Sequence, residues 1–437
     1  MKRSPSILVI FLTVFIDLIG FGIVVPLVPV YGKHYEASGL MIGVIVASYS
    51  AMQFIFSPIW GRLSDRHGRR PILLFSTAGA CLSYVVFALG SGLANHVSAL
   101  WLLLVSRVFA GICGGNITVA QAYIADITPP ADRSRRMGLI GMAFGLGFIC
   151  GPAIGGLGLK FLGHTGPGWL AAGLCAGNFI LAWRILAESL KPASEHARTI
   201  PRFRQWMRTL ESPGIGMLVV IFFLATFAFS CFETTLALLV NDRFNLGIEV
   251  DATKPAATVI WLFIFCGVIG AYIQGGAIGR LVKMLGEPRL IALSLVLTGI
   301  SLVLLPFIKG EGPLVWRELL TPQGRPWLKM LGALALLSVG SSLTRPPVFG
   351  MLSNLTSAKD QGATIGVAQS AGSLARILGP LFSAGLYTHV PALPYLVCGV
   401  ISVGTGGLAL QRLRDVRPAA VESLRPQGAA EAVKPNP

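Results

Sequence analysis

From Ile7 to Val30 the chain runs 24 residues with a single charge, Asp17, and apolar stretches of this length recur almost to its end. A helix rises 1.5 Å per residue, so about 20 apolar residues cross the ~30 Å hydrocarbon layer of a bilayer. Lipid offers no partner to an open N–H or C=O, so such segments cross as helices that bond their own backbone. Composition agrees: 54% of the 437 residues are hydrophobic and 12% charged, against about 25% charged in soluble domains. Mean hydropathy is +0.71. The fold class expected is an all-α polytopic membrane protein.

Twelve spans are expected, at about 7–30, 40–60, 71–90, 98–120, 137–159, 168–187, 214–240, 256–280, 289–308, 328–353, 362–388 and 392–411. Most connections are short. A polar, basic segment at 188–213 divides the spans six and six, which predicts bundles over 1–187 and 214–411 joined by a linker. The 412–437 tail, rich in Ala, Pro and charge, is expected to be disordered. Lys2 and Arg3 precede the first span, no small-residue cleavage site follows it, and Asp17 interrupts it, so an uncleaved span is expected.

Of the 35 Lys and Arg residues, 23 fall in the head, the even-numbered loops and the tail, and 8 in the odd-numbered loops. Cytoplasmic loops collect such residues, so both termini are expected in the cytoplasm. This distribution accounts for the net charge of +16. The excess follows one membrane face and carries no nucleic-acid motif, which excludes nucleic acid as a partner. The seven cysteines sit in spans without Cys-x-x-Cys spacing, and the histidines are dispersed, so neither a metal nor another cofactor is implied. No phosphate-binding loop or nucleophile motif is present, so any uphill work draws on an ion gradient.

The halves repeat. Shifted by 218, Gly61, Arg62, Leu63 and Gly68 meet Gly279, Arg280, Leu281 and Gly286. Shifted by 228, Thr128, Asp132, Gly138 and Gly151-Pro152 meet Thr356, Asp360, Gly366 and Gly379-Pro380. Both copies start on the same side, so the two six-helix bundles are expected to be related by a pseudo-two-fold axis along the membrane normal. That is an architecture for rocking about a central site.

Charges within spans cost about 2.5–3.5 kcal/mol on insertion scales and so face a cavity or a partner. Asp17, Arg107, Glu233, Arg345 and Arg376 are the candidates for proton or substrate binding, with Asn116, Gln121, Gln274 and Gln369 as weaker ones. A structural ion pair is the competing role for each. Arg184 lies near a span end, where it can snorkel. A second feature is "GRLSDRHGRRP" at 61–71, a dense charge cluster between apolar spans. Gly61 and Gly68 allow a tight turn, and the arginines hold it at the headgroups. In span 5, Gly147, Gly151 and Gly155 share one face at i, i+4 spacing, beside Pro152 and Gly156. Small residues of this kind let helices pack closely in membranes.

These segments carry a resemblance. "GRLSDRHGRRP", "FIDLIGFGIVVPLVP", "LVSRVFAGICGGN" and "GLGFICGPAIGG" resemble motifs of the major facilitator superfamily, and within it of the twelve-span drug:proton antiporters. The first half is similar to tetracycline exporters through "SPIWGRLSDRHGRRPILL" and "AYIADITPPADRSRRMGLIGMAFGLG". The resemblance implies a latch at Asp65, with Arg66, Arg69, Arg70 and Asp126 as its partners, that closes the cytoplasmic side. Lys283 stands at Asp65's place in the second copy, so no latch is expected there. It also implies that span 5 makes a dry contact between the halves and that spans 1, 4 and 7 line the cavity. Ser83 stands in span 3, where tetracycline exporters carry an aspartate, and Glu233 looks more like the multidrug branch. The function implied is proton-coupled export of small hydrophobic or cationic compounds by a monomer in a bacterial inner membrane. The runner-up is a proton-linked carrier of a metabolite or organic anion, with Arg345 and Arg376 suited to a carboxylate. A membrane enzyme or a channel is the distant alternative, and no catalytic constellation supports it.

Overall fold

The computed structural model describes residues 5–24, 27–37, 39–190, 211–246, 253–357, 360–387 and 389–413. Most of the expected linker, at 191–210, and almost all of the tail, from 414 on, lie outside the described residues. Six long helices form the first half: α1 (Ile7–Val24), α2 (Gly39–His67), α3 (Arg69–Gly90), α4 (His96–Cys113 and, after a break, Asn116–Ile127), α5 (Arg133–Leu162) and α6 (Gly166–Ile185). The second half holds α7 (Pro213–Phe244), α8 (Thr253–Tyr272, a π turn at Ile273–Ala277, then Ile278–Leu285), α9 (Glu287–Leu304), α10 (Arg325–Leu355), α11 (Gln361–Tyr387) and α12 (Leu393–Arg412).

Eleven of these helices are apolar enough to cross a bilayer by composition alone. The exception is α11, which packs along α2 and α7 and is buried at every residue from Gln361 to Ser370. A helix covered by protein on this scale need not be apolar towards lipid, so Gln, Ser and Arg are tolerated in it.

Three boundaries differ from expectation. The first span reaches further than residue 30: beyond α1, which is described to Val24, a short helix runs over Val28–His34, with Pro29 in its first turn, where a missing N–H costs little. Span 4 breaks at Gly114-Gly115, which its uniform hydropathy conceals. The expected loop at 61–70 is almost entirely helical, since α2 runs to His67 and α3 starts at Arg69. The chain turns at one residue, Gly68, whose φ of 97° is open to glycine and strained for other residues.

The halves meet along two seams. α2 lies against α11, and α5 lies against α8 and α10. At the end carrying Asp65 to Arg70, here the basic end, one apolar core is shared: Trp60, Met137 and Ile140 pool with Phe222, Phe349 and Ile365. Towards the opposite end the core splits in two. One part, around Ile23, Tyr31 and Phe87, belongs to the first half, and the other, around Phe232, Trp327 and Tyr395, to the second. The molecule is therefore joined at the basic end and divided at the other.

Candidate functional site

The first seam is fastened by Asp65. Its Oδ1 accepts from the Gly362 N–H at 2.9 Å and its Oδ2 from the Ala363 N–H at 2.8 Å. Both donors lie in the first turn of α11, where backbone N–H groups lack helical partners and the helix end is positive. The carboxylate is held from behind by Arg69, whose Nη1 donates to Oδ1 at 2.5 Å. Arg69 is fully buried, and it also donates to Ser64 Oγ at 2.7 Å and to Asp126 Oδ2 at 3.0 Å. Gly61 allows the helices this proximity, because a Cβ there would strike the Gly362 carbonyl.

Of the partners suggested for Asp65, Arg69 bonds it directly and Asp126 acts through Arg69. Arg66 is exposed, and Arg70 turns away to donate to the Trp183 carbonyl at 2.9 Å. Sequence reasoning missed Glu188. Its carboxylate accepts from the Arg69 and Arg70 N–H groups at 2.8 and 3.0 Å and so caps α3. Ser189 donates to Asp126 at 3.0 Å, which ties the start of the inter-half connection to the same cluster.

The second seam corrects an expectation. Lys283 does replace the aspartate, yet an acid crosses the seam four residues later, beyond the turn at Gly286: Ser134 Oγ, in the first turn of α5, donates to Glu287 Oε1. Ser134 is the repeat mate of Gly362, and Glu287 is the mate of Arg69. Nearby, Arg133 Nη1 donates to the Ser353 carbonyl at 2.8 Å and to Asn354 Oδ1 at 3.1 Å, a cation at the C-terminal end of α10.

The span 5 glycines are placed differently from the expectation. Gly147, Gly151 and Gly155 pack on α1 within their own half, against Leu18, Gly22 and Ile23. Gly138 and Gly141 meet Gln274, and Gly145 meets Gly267, so these three carry the contact with α8. Nothing lies near a Cβ added at Gly156, and α5 runs as a helix through Pro152. The reason is helical phase: the 147/151/155 face is turned away from the 138/141/145 face.

Midway along the helices lie the remaining candidates. Asp17, 5% exposed, accepts from Asn116 Nδ2 at 2.5 Å and Asn178 Nδ2 at 2.7 Å, with Cys175 Sγ at 3.7 Å. Its hydrogen-bond partners are thus neutral. Arg107, 4% exposed, does not pair with it. The Arg107 guanidinium lies over the Tyr49 ring at 4.6 Å and the Phe21 ring at 5.7 Å, and its Nε is buried without a partner. A small cavity in the first half is lined by Asp17, Phe21, Tyr49, Tyr84 and Asn116.

Across from this cavity, Arg376 Nη2 reaches Gln53 Oε1 at 3.5 Å, and Gln53 Nε2 donates to Tyr49 Oη at 2.8 Å. Arg345 Nη2 reaches Gln369 Oε1 at 3.4 Å, and Gln369 Nε2 donates across the seam to Gln121 Oε1 at 2.7 Å. Glu233 is exposed. Among the described residues the ion pairs are Asp65–Arg69 and Arg69–Asp126, so none of the mid-depth charges is closely paired. Tyr49, Gln53, Tyr84 and Asn178 were missed because uncharged polar residues in apolar spans give no cost signal.

Twelve long helices in two similar halves, closed at one end by polar seams and holding buried charges at mid-depth, define the molecule as a polytopic membrane carrier. The model of the Major Facilitator Superfamily matches residues 10–317 and 277–435. The chain belongs to that superfamily, a family of transporters. It is 33% identical over 393 residues to the class E tetracycline resistance protein of Escherichia coli, covering 88% of each chain. It is 28% identical over 421 residues to multidrug resistance protein 2 of Bacillus subtilis (strain 168), covering 94% of this chain and 97% of that one. Among solved structures, the human organic anion transporter MFSD10 (TETRAN) matches with a TM-score of 0.74 at 24% identity, over 93% of this chain and all of that one, a likeness of fold.

Proposed function

We propose that this protein exports small hydrophobic or cationic organic compounds in exchange for protons, by alternating access, as a monomer in a bacterial inner membrane with its basic end in the cytoplasm. The observation that carries the proposal is the asymmetry of closure: one core and two polar seams join the halves at the basic end, and the cores part at the other. This is an outward-facing arrangement. To face inward, the chain must break the Asp65 bonds to α11, the Ser134–Glu287 bond and the Arg133 contacts with α10. The relatives that bear the names of tetracycline and multidrug resistance support efflux as the direction.

Coupling needs a group that holds a proton in one facing state and loses it in the other. Glu233 is exposed, and Asp17 is buried behind neutral amides. A carboxylate that gives up its proton gains charge, which favours a cationic compound at the same place. Proton and substrate then exclude each other, which is the requirement for exchange. The test is a screen in inside-out vesicles with an imposed pH gradient and a panel of dyes and drugs. Saturable uptake that collapses with the gradient supports the carrier. Sustained ohmic current in planar bilayers, with flux linear in concentration, contradicts it.

A further inference from the structure

The connection between α9 and α10, residues 305–324, lies at the divided end, because α9 leaves the second seam at Glu287 and α10 returns to it at Asn354. It is bonded in place. The Gly310 N–H donates to the Arg243 carbonyl at 3.0 Å and the Gly312 N–H to the Phe244 carbonyl at 2.9 Å, both in the last turn of α7. Carbonyls at a helix end lack partners within the helix, so the connection satisfies them. Trp327 of α10 donates to the Gly312 carbonyl at 3.2 Å and stacks on Phe244, with ring centroids 3.8 Å apart. A single tight helical turn follows at Trp316–Glu318.

The segment is apolar on both sides. Leu314 and Leu319 pack inward on the core that holds Phe244 and Trp327. Trp316 and Leu320 point outward, 45% and 90% exposed. Exposed apolar groups placed together mark a contact with protein or lipid.

Depth says which. The Trp316 ring meets the Trp261 ring of α8 edge-on, with centroids 6.0 Å apart. The sequence of α8 has no charge between Lys254 and Arg280. Trp261 lies nineteen residues before Arg280. That is about 28 Å of helix, close to the ~30 Å of the hydrocarbon layer. With Arg280 at the headgroups of the basic end, Trp261 falls at the opposite boundary. It shares a face of α8 with Val268 and Tyr272, both exposed, and Gly270 on the other face meets Ser342 of α10. The Trp261 face is therefore turned away from the bundle and towards lipid. Tryptophan collects at this boundary, where its ring is apolar and its N–H stays among the headgroups. The charges of the connection are Lys309, Glu311, Arg317 and Glu318, so it is neutral overall and carries no signal for a partner of one sign.

We infer that the α9–α10 connection is an interfacial anchor, which inserts Trp316 and Leu320 into the headgroup–acyl boundary of the bilayer at the divided end, beside Trp261. The partner is the lipid surface, with no preference for anionic lipid. The same segment is bonded to the end of α7, seated on Trp327 of α10 and in contact with Trp261 of α8. It thus fixes the height of three helix ends of the second half at the place where the halves part. The inference does not depend on what the carrier moves.

The test places a nitroxide at Leu320→Cys and, separately, at Arg317→Cys, in phosphatidylcholine nanodiscs. It compares collision with oxygen, which partitions into lipid, and with a water-soluble nickel chelate. The seven native cysteines are buried or half-buried, and the unsubstituted chain carried through the same labelling gives the background. At 320 oxygen is expected to collide more than the chelate, and at 317 the order is expected to reverse. Added phosphatidylglycerol is expected to leave both readings unchanged. Chelate collision at 320 equal to that at 317 overturns the anchor, because the segment then stands in water. Shielding of 320 from both agents also overturns it, because a second copy or another chain then covers the site. An oxygen preference that arises only with phosphatidylglycerol overturns the neutral anchor. Trp316→Phe gives a reading without a label: the emission lost with the indole is expected to be quenched by brominated lipid and spared by iodide, and the reverse contradicts the anchor.

Discussion

Ser134 donates to Glu287 across the second seam, at the place where the internal repeat puts Gly362 of the first seam. The two seams are thus equivalent in position and different in chemistry. In one, an acid at the end of α2 meets backbone N–H groups of α11. In the other, an acid at the start of α9 meets a hydroxyl of α5. Duplication preserved the contact, and the acid moved across the glycine turn, from Asp65's register to Arg69's.

Asp65→Asn keeps the size of the side chain and removes its charge. Hydrogen bonds to charged groups contribute about 1.5–3 kcal/mol, so the balance between facing states is expected to shift towards the inward one by about 10-fold or more. Transport is expected to fall severely at normal expression. Spin-label distances across the basic end, measured in nanodiscs, report the shift, and an unchanged distance distribution with normal transport removes the latch role.

Glu287→Gln is expected to have a smaller effect of the same sign, about 1 kcal/mol or roughly 5-fold in the same distance populations. The seams share no partner, so the double variant with Asp65→Asn is expected to be additive within about 0.5 kcal/mol. Strong non-additivity would show that the two contacts are energetically coupled within one facing state.

Gly151 and Gly156 offer a matched pair. A Cβ at Gly151 would lie 2.6 Å from the Gly22 Cα, and backbone cannot yield cheaply, whereas nothing lies within 4 Å of a Cβ at Gly156. Gly151→Ala is expected to cost about 1–3 kcal/mol by overpacking and Gly156→Ala less than about 0.5 kcal/mol. Thermal unfolding of the purified proteins in one detergent decides between them, and equal melting temperatures would contradict the α1–α5 packing described here.

Hydropathy made the helices legible because lipid imposes one requirement on every exposed span. It was least informative where that requirement is lifted. α11 is screened from lipid by α2 and α7, and its Gln361–Ser370 segment reads as polar. The charge cluster at 61–71 was legible because arginines between apolar spans stand out, and Asp65 with them. Glu188 was not, because it caps α3 from more than a hundred residues away and its own surroundings look like an ordinary helix end. Glu287 was hidden by the repeat itself: alignment directs attention to Lys283, and the chain turn at Gly286 brings position 287 to the seam. Asp17 and Arg107 share a depth, but depth does not fix azimuth. The structure gives each its own polar neighbours, Asn116 and Asn178 for one and the Tyr49 ring for the other.

We propose that acids at mid-depth exchange a proton for substrate. This is tested most directly by substrate-induced proton release in proteoliposomes, read with a pH dye, for the native chain and for Asp17→Asn, Glu233→Gln and the double variant. The native chain is expected to release protons on substrate addition and to drive uphill flux under a pH gradient. The double variant is expected to lose both while still allowing downhill exchange. Uphill export by the double variant with an unaltered pH dependence would mean that neither acid is the coupling group.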